Sequence, residues 1–291
     1  MVIEADLAEL FEAERARLET VAHRILGRRG DAEDAVQEAW LRLARTDSTT
    51  IDNLPGWLTT VVSRVSIDML RARKSRPELS REDQLPEPIV TVDRPETPDD
   101  SAVLADQVGL ALMVVLESLG PDERLAFVLH DLFGLPFKQI AEILDKSADA
   151  SKMLASRARS KVRGVPHPTG DLQARRDIVD AFLAAAQGGD LAHLAELLAP
   201  DITWTVHTRR TVRTMTGAAD VAHTLARGRR SGVQARRVLV DGEPGVLVWD
   251  AQGRPVGLMA CTVVDGRLAH VESIVDRPRL AAMDLPGLDE A

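Results

Sequence analysis

Apolar positions along this chain follow a helical spacing as far as residue 198, broken between residues 77 and 103, and then shorter, strand-like runs. Residues 4–26 carry Leu7, Leu10, Phe11, Leu18, Val21, Ile25 and Leu26 on one helical face, and Gly27 with Gly30 closes that helix. Asp31 then stands as N-cap of DAEDAVQEAWLRLAR (residues 31–45), with acids crowded into the first turn where the helix dipole favours them. Val36, Trp40 and Leu43 form its inward stripe, while Asp34, Gln37, Glu38 and Leu41 share a different face. A polar loop, TDSTTIDNLPG, leads into WLTTVVSRVSIDMLRARKSR (residues 57–76). There Trp57, Leu58, Val61, Val62, Val65, Ile67, Met69 and Leu70 supply burial, and Arg64, Arg71, Arg73, Lys74 and Arg76 supply a basic side and end.

A second helical block begins after residue 104. Residues 104–119 form an amphipathic helix ended by Gly120 and Pro121, and DERLAFVLHDLF (residues 122–133) forms another, with Leu125, Val128, Leu129 and Leu132 at core spacing. Gly134 turns into the short helix PFKQIAEIL, and KSADASKMLASRARSKVRG (residues 146–164) follows, N-capped by Ser147. Ala150, Leu154, Ala158 and Val162 give that helix an apolar stripe. Lys152, Arg157, Arg159, Lys161 and Arg163 face a single acid on it, Asp149. Two short helices joined by a tight turn, the second basic, are the arrangement that enters a DNA major groove.

Between the blocks, residues 77–103 are rich in Pro, Asp and Glu and hold no sustained period; Pro77, Pro86, Pro88, Pro95 and Pro98 favour extended conformers. This stretch is expected to be an acidic tether. After residue 170 the chain predicts a helix over 171–186, a short helix in GGDLAHLAELL, then the runs ITWTVHT, ARRVLV, GVLVWD, VGLMACTVV and LAHVESIV. DGEPG, DAQGR and DGR mark their turns, and a helix, GAADVAHTLARG, separates the first two runs. Helices followed by an antiparallel sheet make an α+β domain.

Composition narrows the options. A lone cysteine, Cys261, excludes an internal disulfide framework and any cysteine-based zinc site within one chain, so a reducing, cytoplasmic setting is expected. No apolar run reaches bilayer length and the N-terminus is acidic and amphipathic, so neither a membrane partner nor a signal peptide is expected. The net charge of −9 argues against indiscriminate nucleic-acid binding. It suits a body that stays acidic while presenting local basic helices.

DAEDAVQEAWLRL followed by LPGWLTTVVSRVSIDMLRARKSR resembles region 2 of the bacterial extracytoplasmic-function sigma factors, and the later helix-turn-helix resembles their region 4. The resemblance implies a multi-domain chain. Region 2 would span residues 1–76 as a helical bundle, the linker 77–103, region 4 residues 104–165 as a helix-turn-helix, and an α+β domain residues 171–285. It also implies that Asp34, Gln37, Glu38 and Leu41 dock on the clamp of RNA polymerase core, with region 4 meeting the flap. Asp52 and Asn53 would meet an extruded minus-ten base, and Arg64 and Arg71 its strand; short polar groups reading base edges, with cations on phosphates, suit that task. Family members often have Asn where this chain has Arg64, so a minus-ten preference is not carried over. At the minus-thirty-five element, Ser151 and Lys152 would face base edges, with Arg157, Arg159 and Lys161 as phosphate anchors. Ser151 stands where the family usually has a core Val.

The order of elements after residue 170 resembles the SnoaL-like fold, a cone that some sigma factors of this group carry as a C-terminal extension; LPEP at residues 85–88 resembles a linker motif of that subset. HTRRT (residues 207–211) and VDRPRLA (residues 275–281) depart from the subset's Gly-rich and terminal signatures. His207, His223, His270, Asp241 and Glu272 are the acid–base candidates of the cone, yet none lies in a motif that fixes a role. No catalytic residue, metal or cofactor is therefore assigned. The cone is expected to take a small-molecule ligand of unspecified class or a contact with the rest of the chain. The basic stretch 227–237 reads as a solvated face. The implied protein is a sigma factor regulated by its own C-terminal domain, a monomer when free, cytoplasmic, and nucleoid-associated when bound to polymerase. Two rivals share the pattern: a one-component DNA-binding regulator with a small-molecule-binding tail, and a SnoaL-like enzyme with an accessory helical domain.

Overall fold

The computed structural model describes residues 2–47, 51–75, 85–94, 109–227 and 232–289. Expectations for residues 77–84 and 95–103 of the linker, for the helix start at 104–108, and for 228–231 of the basic stretch lie outside the described residues. Two compact units emerge. One joins residues 1–87 with 113–163, and the other joins 88–112 with 164–291.

In the first unit α1 (Val2–Leu26), α2 (Arg29–Leu43) and α3 (Leu54–Lys74) pack around Phe11, Leu18, Val21, Ile25, Val36, Leu43, Leu58, Val62 and Ile67. Each such buried aliphatic or aromatic side chain contributes roughly 1.5–3 kcal/mol over leaving it exposed. Trp40 is half-buried, its ring 5.0 Å from that of Phe11. Gly27, at φ +73°, ends α1 in a left-handed conformation that side-chain-bearing residues rarely adopt. Asp31 does not cap α2. Arg28 holds the cap position, and Asp31 sits in the first turn, where its carboxylate accepts from Arg73 of α3.

The second half of this unit contains α4 (Leu110–Glu117, from residue 113 on), α5 (Pro121–Phe127) with a π-helical turn over Val128–Leu132, α6 (Phe137–Leu144) and α7 (Ala148–Val162). His130 serves the turn that follows: Nδ1 donates to the Leu135 carbonyl at 3.0 Å and the ring lies 3.9 Å from that of Phe137. Ser147 caps α7 by accepting from the Ala150 amide. Arg124, 3% exposed, ties the two halves together. It donates to the Leu116 carbonyl at 2.8 Å, pairs with Glu117, and donates to the Ile25 carbonyl at 3.0 Å. Ile25 belongs to the last turn of α1, whose carbonyls lack helical partners and favour a cation.

The second unit is a seven-stranded sheet in the order β1-β4-β5-β6-β7-β2-β3. Its strands are β1 (Val90–Thr91), β2 (Leu198–His207), β3 (Val212–Thr216), β4 (Gln234–Val240), β5 (Glu243–Trp249), β6 (Pro255–Val264) and β7 (Arg267–Ile274). All neighbours are antiparallel except β2 with β7, a parallel pair the sequence reading did not foresee. Asp241-Gly242 and Asp265-Gly266 make the β4–β5 and β6–β7 turns with positive φ at both residues, as type I′ hairpins require. Helices α8 (Leu172–Gly188), α9 (Leu191–Leu197) and α10 (Ala218–Arg227) bring Val179, Phe182, Leu194 and Val221 into one core with Trp204, Val246, Cys261, Val263 and Val271. Helix α11 (Arg277–Ala282) packs on β6.

Part of the expected tether is built into this sheet. Val90 and Thr91 pair with Val240 and Leu239 as an added edge strand; beside them the Asp241 amide donates to the Ile89 carbonyl at 2.7 Å and the Asp241 Oδ1 accepts from the Ile89 amide at 3.2 Å. Asp93, its side chain 2% exposed, accepts from both Nε and Nη2 of Arg176 of α8 and lies 2.8 Å from Arg237 of β4. Such pairing lets a carboxylate stay charged out of water.

Candidate nucleic-acid interface

Three surfaces of the first unit present the groups that the sequence singled out. On α2, the Ala32, Ala35, Val36, Ala39 and Leu43 stripe turns inward. Asp34, Gln37 and Leu41 are left exposed, with Glu38 half-exposed and tied to Arg42 at 2.9 Å. This is an acidic patch with one apolar member.

The second surface runs along α3. Asp52 is exposed. Asn53 is the N-cap, its Oδ1 accepting from the Gly56 amide at 3.1 Å. That oxygen is committed to the helix, which leaves the amide nitrogen for any outside contact. Arg64 donates to the Glu142 carbonyl of α6 at 3.0 Å, and Arg71 pairs with Asp122 of α5 at 2.9 Å. Asp122 also lies 3.4 Å from Lys146. Both strand-facing cations assigned from sequence are thus held by the helix-turn-helix half.

The third surface is α7. Ser151, Ala155, Ala158 and Val162 are its buried stripe, rotated from the one expected, and Ala150 and Leu154 sit at the margin. Ser151 is fully buried and its hydroxyl donates to the Ser147 carbonyl at 3.1 Å, which corrects its assignment as a base-contacting residue. The spacing i, i+4, i+7, i+11 of small residues was the available signal. Small side chains there let α7 approach α5 and α6 closely.

Asp149, Lys152, Met153, Ser156 and Arg157 face solvent. Among the described residues Lys152 and Arg157 have no ion-pair partner, whereas Arg159 lies 3.5 Å from Asp131 and Lys161 2.7 Å from Glu123. The hydrogen bond from Lys161 holds the Glu123 carboxyl below the usual range, and burial pushes that of Asp131 up against the pull of Arg159. Lys152 in the second turn of α7 and Arg157 near its middle thus stand free of ion pairs on the solvent face, and the N-terminal turns of such a helix are the part that enters a groove.

In the second unit the acid–base candidates do not converge on the helix-covered face. Trp204, Val206 and Val271 join that core, and side chains alternate along strands, so His207, His270 and Glu272 project from the opposite face. There Glu272 accepts from His207 at 2.5 Å and from His270 at 2.9 Å. Burial pushes the Glu272 carboxyl up, but the two histidine hydrogen bonds outweigh it and hold it below the usual range. His223 is exposed on α10, and Asp241 is spent on the β1 contact. In the helix-covered core Trp204 Nε1 donates to the buried Ser273 hydroxyl at 2.8 Å. A cavity of about 510 Å³ lies elsewhere, between the β5–β6 turn and α11, lined by Trp249, Arg254, Arg277, Leu280 and Leu285. No cluster of three metal-ligating side chains, and no helix long and apolar enough to cross a membrane, occurs among the described residues.

Comparison with known proteins accounts for nearly the whole chain. Residues 10–76 match Sigma-70 region 2, residues 109–162 match Sigma-70 region 4, and residues 179–276 match a SnoaL-like domain. The ECF RNA polymerase sigma factor SigJ of Mycobacterium tuberculosis is 47% identical over 197 residues, covering 67% of this chain and 63% of that protein. The probable ECF RNA polymerase sigma factor SigI of the same organism is 35% identical over 274 residues, 91% of each chain. The crystal structure of the M. tuberculosis SigJ protein aligns with a TM-score of 0.72 at 34% identity, covering 96% of this chain and all of that one.

Proposed function

Because this chain belongs to the ECF RNA polymerase sigma factors that carry a SnoaL-like C-terminal domain, we propose that it brings core polymerase to a subset of promoters through the three surfaces described. The observation that carries this reading is the pairing, in one compact unit, of an exposed acidic face on α2 with two exposed cations of α7, Lys152 and Arg157, that no ion pair engages among the described residues. Asp34, Gln37, Glu38 and Leu41 dock on the clamp. Lys152 and Arg157 engage minus-thirty-five DNA, while Arg159 and Lys161 must exchange their own acids for phosphates to do so. Asp52 and the free amide nitrogen of Asn53 meet an extruded minus-ten base, and Arg64 and Arg71 hold its strand after leaving Glu142 and Asp122. Free protein thus keeps its strand-binding cations covered, and core polymerase supplies the energy that separates α3 from α5 and α6. The protein acts where polymerase acts, in the cytoplasm and at the nucleoid.

The C-terminal domain acts as a regulatory element rather than as an enzyme. Support comes from the position of the His207–Glu272–His270 cluster on the face of the sheet opposite the helix-covered core. Core binding tests the docking surface: Glu38→Lys is expected to weaken association with core polymerase by about tenfold, the scale of a reversed charge in a complementary interface. Circular dichroism should stay unchanged, since Glu38 is half-exposed. Unaltered affinity would remove the acidic face from the mechanism.

A further inference from the structure

Helix α7 carries an anomaly in the middle of its polar face. Met153 is 59% exposed, whereas Ile140, Ile143, Leu144 and Val162 of the same helix-turn-helix are buried. The side chain lies opposite the buried Ser151, Ala155, Ala158 and Val162 stripe and is one turn from both Asp149 and Arg157. Lys152 and Ser156 flank it. An apolar side chain held in water between unpaired cations, in the second turn of a groove-entering helix, implies an apolar spot on a polyanion. Duplex DNA has one such spot in the major groove, the 5-methyl group of thymine.

We infer that Met153 is a specificity-determining residue that selects a thymine in the upstream promoter element by contact with its methyl group. This rests on the reading of α7 as the promoter-recognition helix. Lys152 and Arg157 anchor neighbouring phosphates or guanine edges, and the Asp149 carboxylate, at the start of the same stripe, suits a cytosine amino donor. The exposed position of Met153 leaves the fold independent of its side chain, so substitution perturbs recognition alone.

The test begins with holoenzyme, made from core polymerase and the full chain, selecting promoters from a library randomised in the upstream element. Each enriched thymine is then replaced by deoxyuridine, which removes only the methyl group. One position is expected to lose about three- to fivefold in promoter affinity, the scale of one buried methyl group. Met153→Ala should abolish that penalty and Met153→Leu should retain it. Enrichment of an upstream element with no deoxyuridine penalty, or with a penalty that persists in Met153→Ala, overturns the contact while leaving the role of α7 intact. Failure to enrich any upstream sequence overturns the role of α7 and the contact with it.

Discussion

Asp93→Ala should detach the linker segment from the C-terminal unit. The Asp93 side chain is 2% exposed and faces two arginines, Arg176 at 9% exposure and Arg237 at 22%. Removing one member of a buried ion pair costs about 3–5 kcal/mol, because the remaining charge stays desolvated without its partner. Arg237 keeps Asp180 at 3.0 Å, which places the cost near the lower end, about 3 kcal/mol. For a unit of this size that corresponds to a fall in Tm of roughly 6–12 °C. The same loss raises local opening by on the order of a hundredfold, since 1.4 kcal/mol is a factor of ten. Hydrogen exchange followed by mass spectrometry resolves the segment directly. Amides of β1 and β4, where Val90 pairs with Val240, should exchange faster, and those of α1 to α3 should keep their rates. Unchanged protection at residues 88–94 together with an unchanged Tm would refute the electrostatic anchoring of the linker.

Other consequences follow from the same geometry. Burial raises the Glu243 carboxyl to about 7, with Arg175 opposing. The native state therefore holds this proton more tightly than the unfolded chain, and stability should fall as pH rises from about 4.5 to about 7, by at most about 3 kcal/mol. Urea unfolding of Glu243→Gln beside the parent protein across that window should lose this slope; parallel curves would contradict it. Ser151→Ala should leave promoter selectivity unchanged and shift stability by no more than about 1 kcal/mol, the scale of one hydrogen bond. Lys152→Ala should weaken promoter binding and flatten its salt dependence, and the reverse ranking of these two variants would count against the buried stripe of α7. Asp122→Ala frees Arg71 from an exposed pair worth about 0.2–1 kcal/mol, so the free protein should bind a minus-ten single strand up to about fivefold tighter. Weaker binding would show that Asp122 does not cover the strand site.

The helices of the first unit were legible because their burial is one-sided: a 3.6-residue period such as Leu18, Val21, Ile25 names both an element and its inward face. The β4–β5 and β6–β7 hairpins were legible from their Asp-Gly turns. What escaped has a common cause, since it depends on partners distant in sequence. Strand β1 is two residues long and exists only because β4 offers an edge 150 residues later, Val240 against Val90. Strand β3, mostly exposed, carries no apolar alternation to mark it. Asp93, Arg176 and Arg237 look like surface charges until the fold assembles them. The apolar stripe of α7 was misplaced by a fraction of a turn because Ala150 and Leu154 outweigh Ser151 and Ala155 in hydrophobicity, although the smaller residues are the ones that permit close packing. Among the site residues, exposure at Asp34, Lys152 and Arg157 was within reach of pattern reasoning. The engagement of Arg64 and Arg71 by a distant helix pair was not.

Run-off transcription tests the central claim most directly. Purified core polymerase from a bacterium carrying this protein is mixed with the full chain and genomic fragments, with every other sigma factor absent. The account predicts discrete transcripts that depend on this chain, disappear with Glu38→Lys, and begin a fixed distance downstream of sequences protected by it. Absence of initiation on every fragment, with core binding intact, would contradict it.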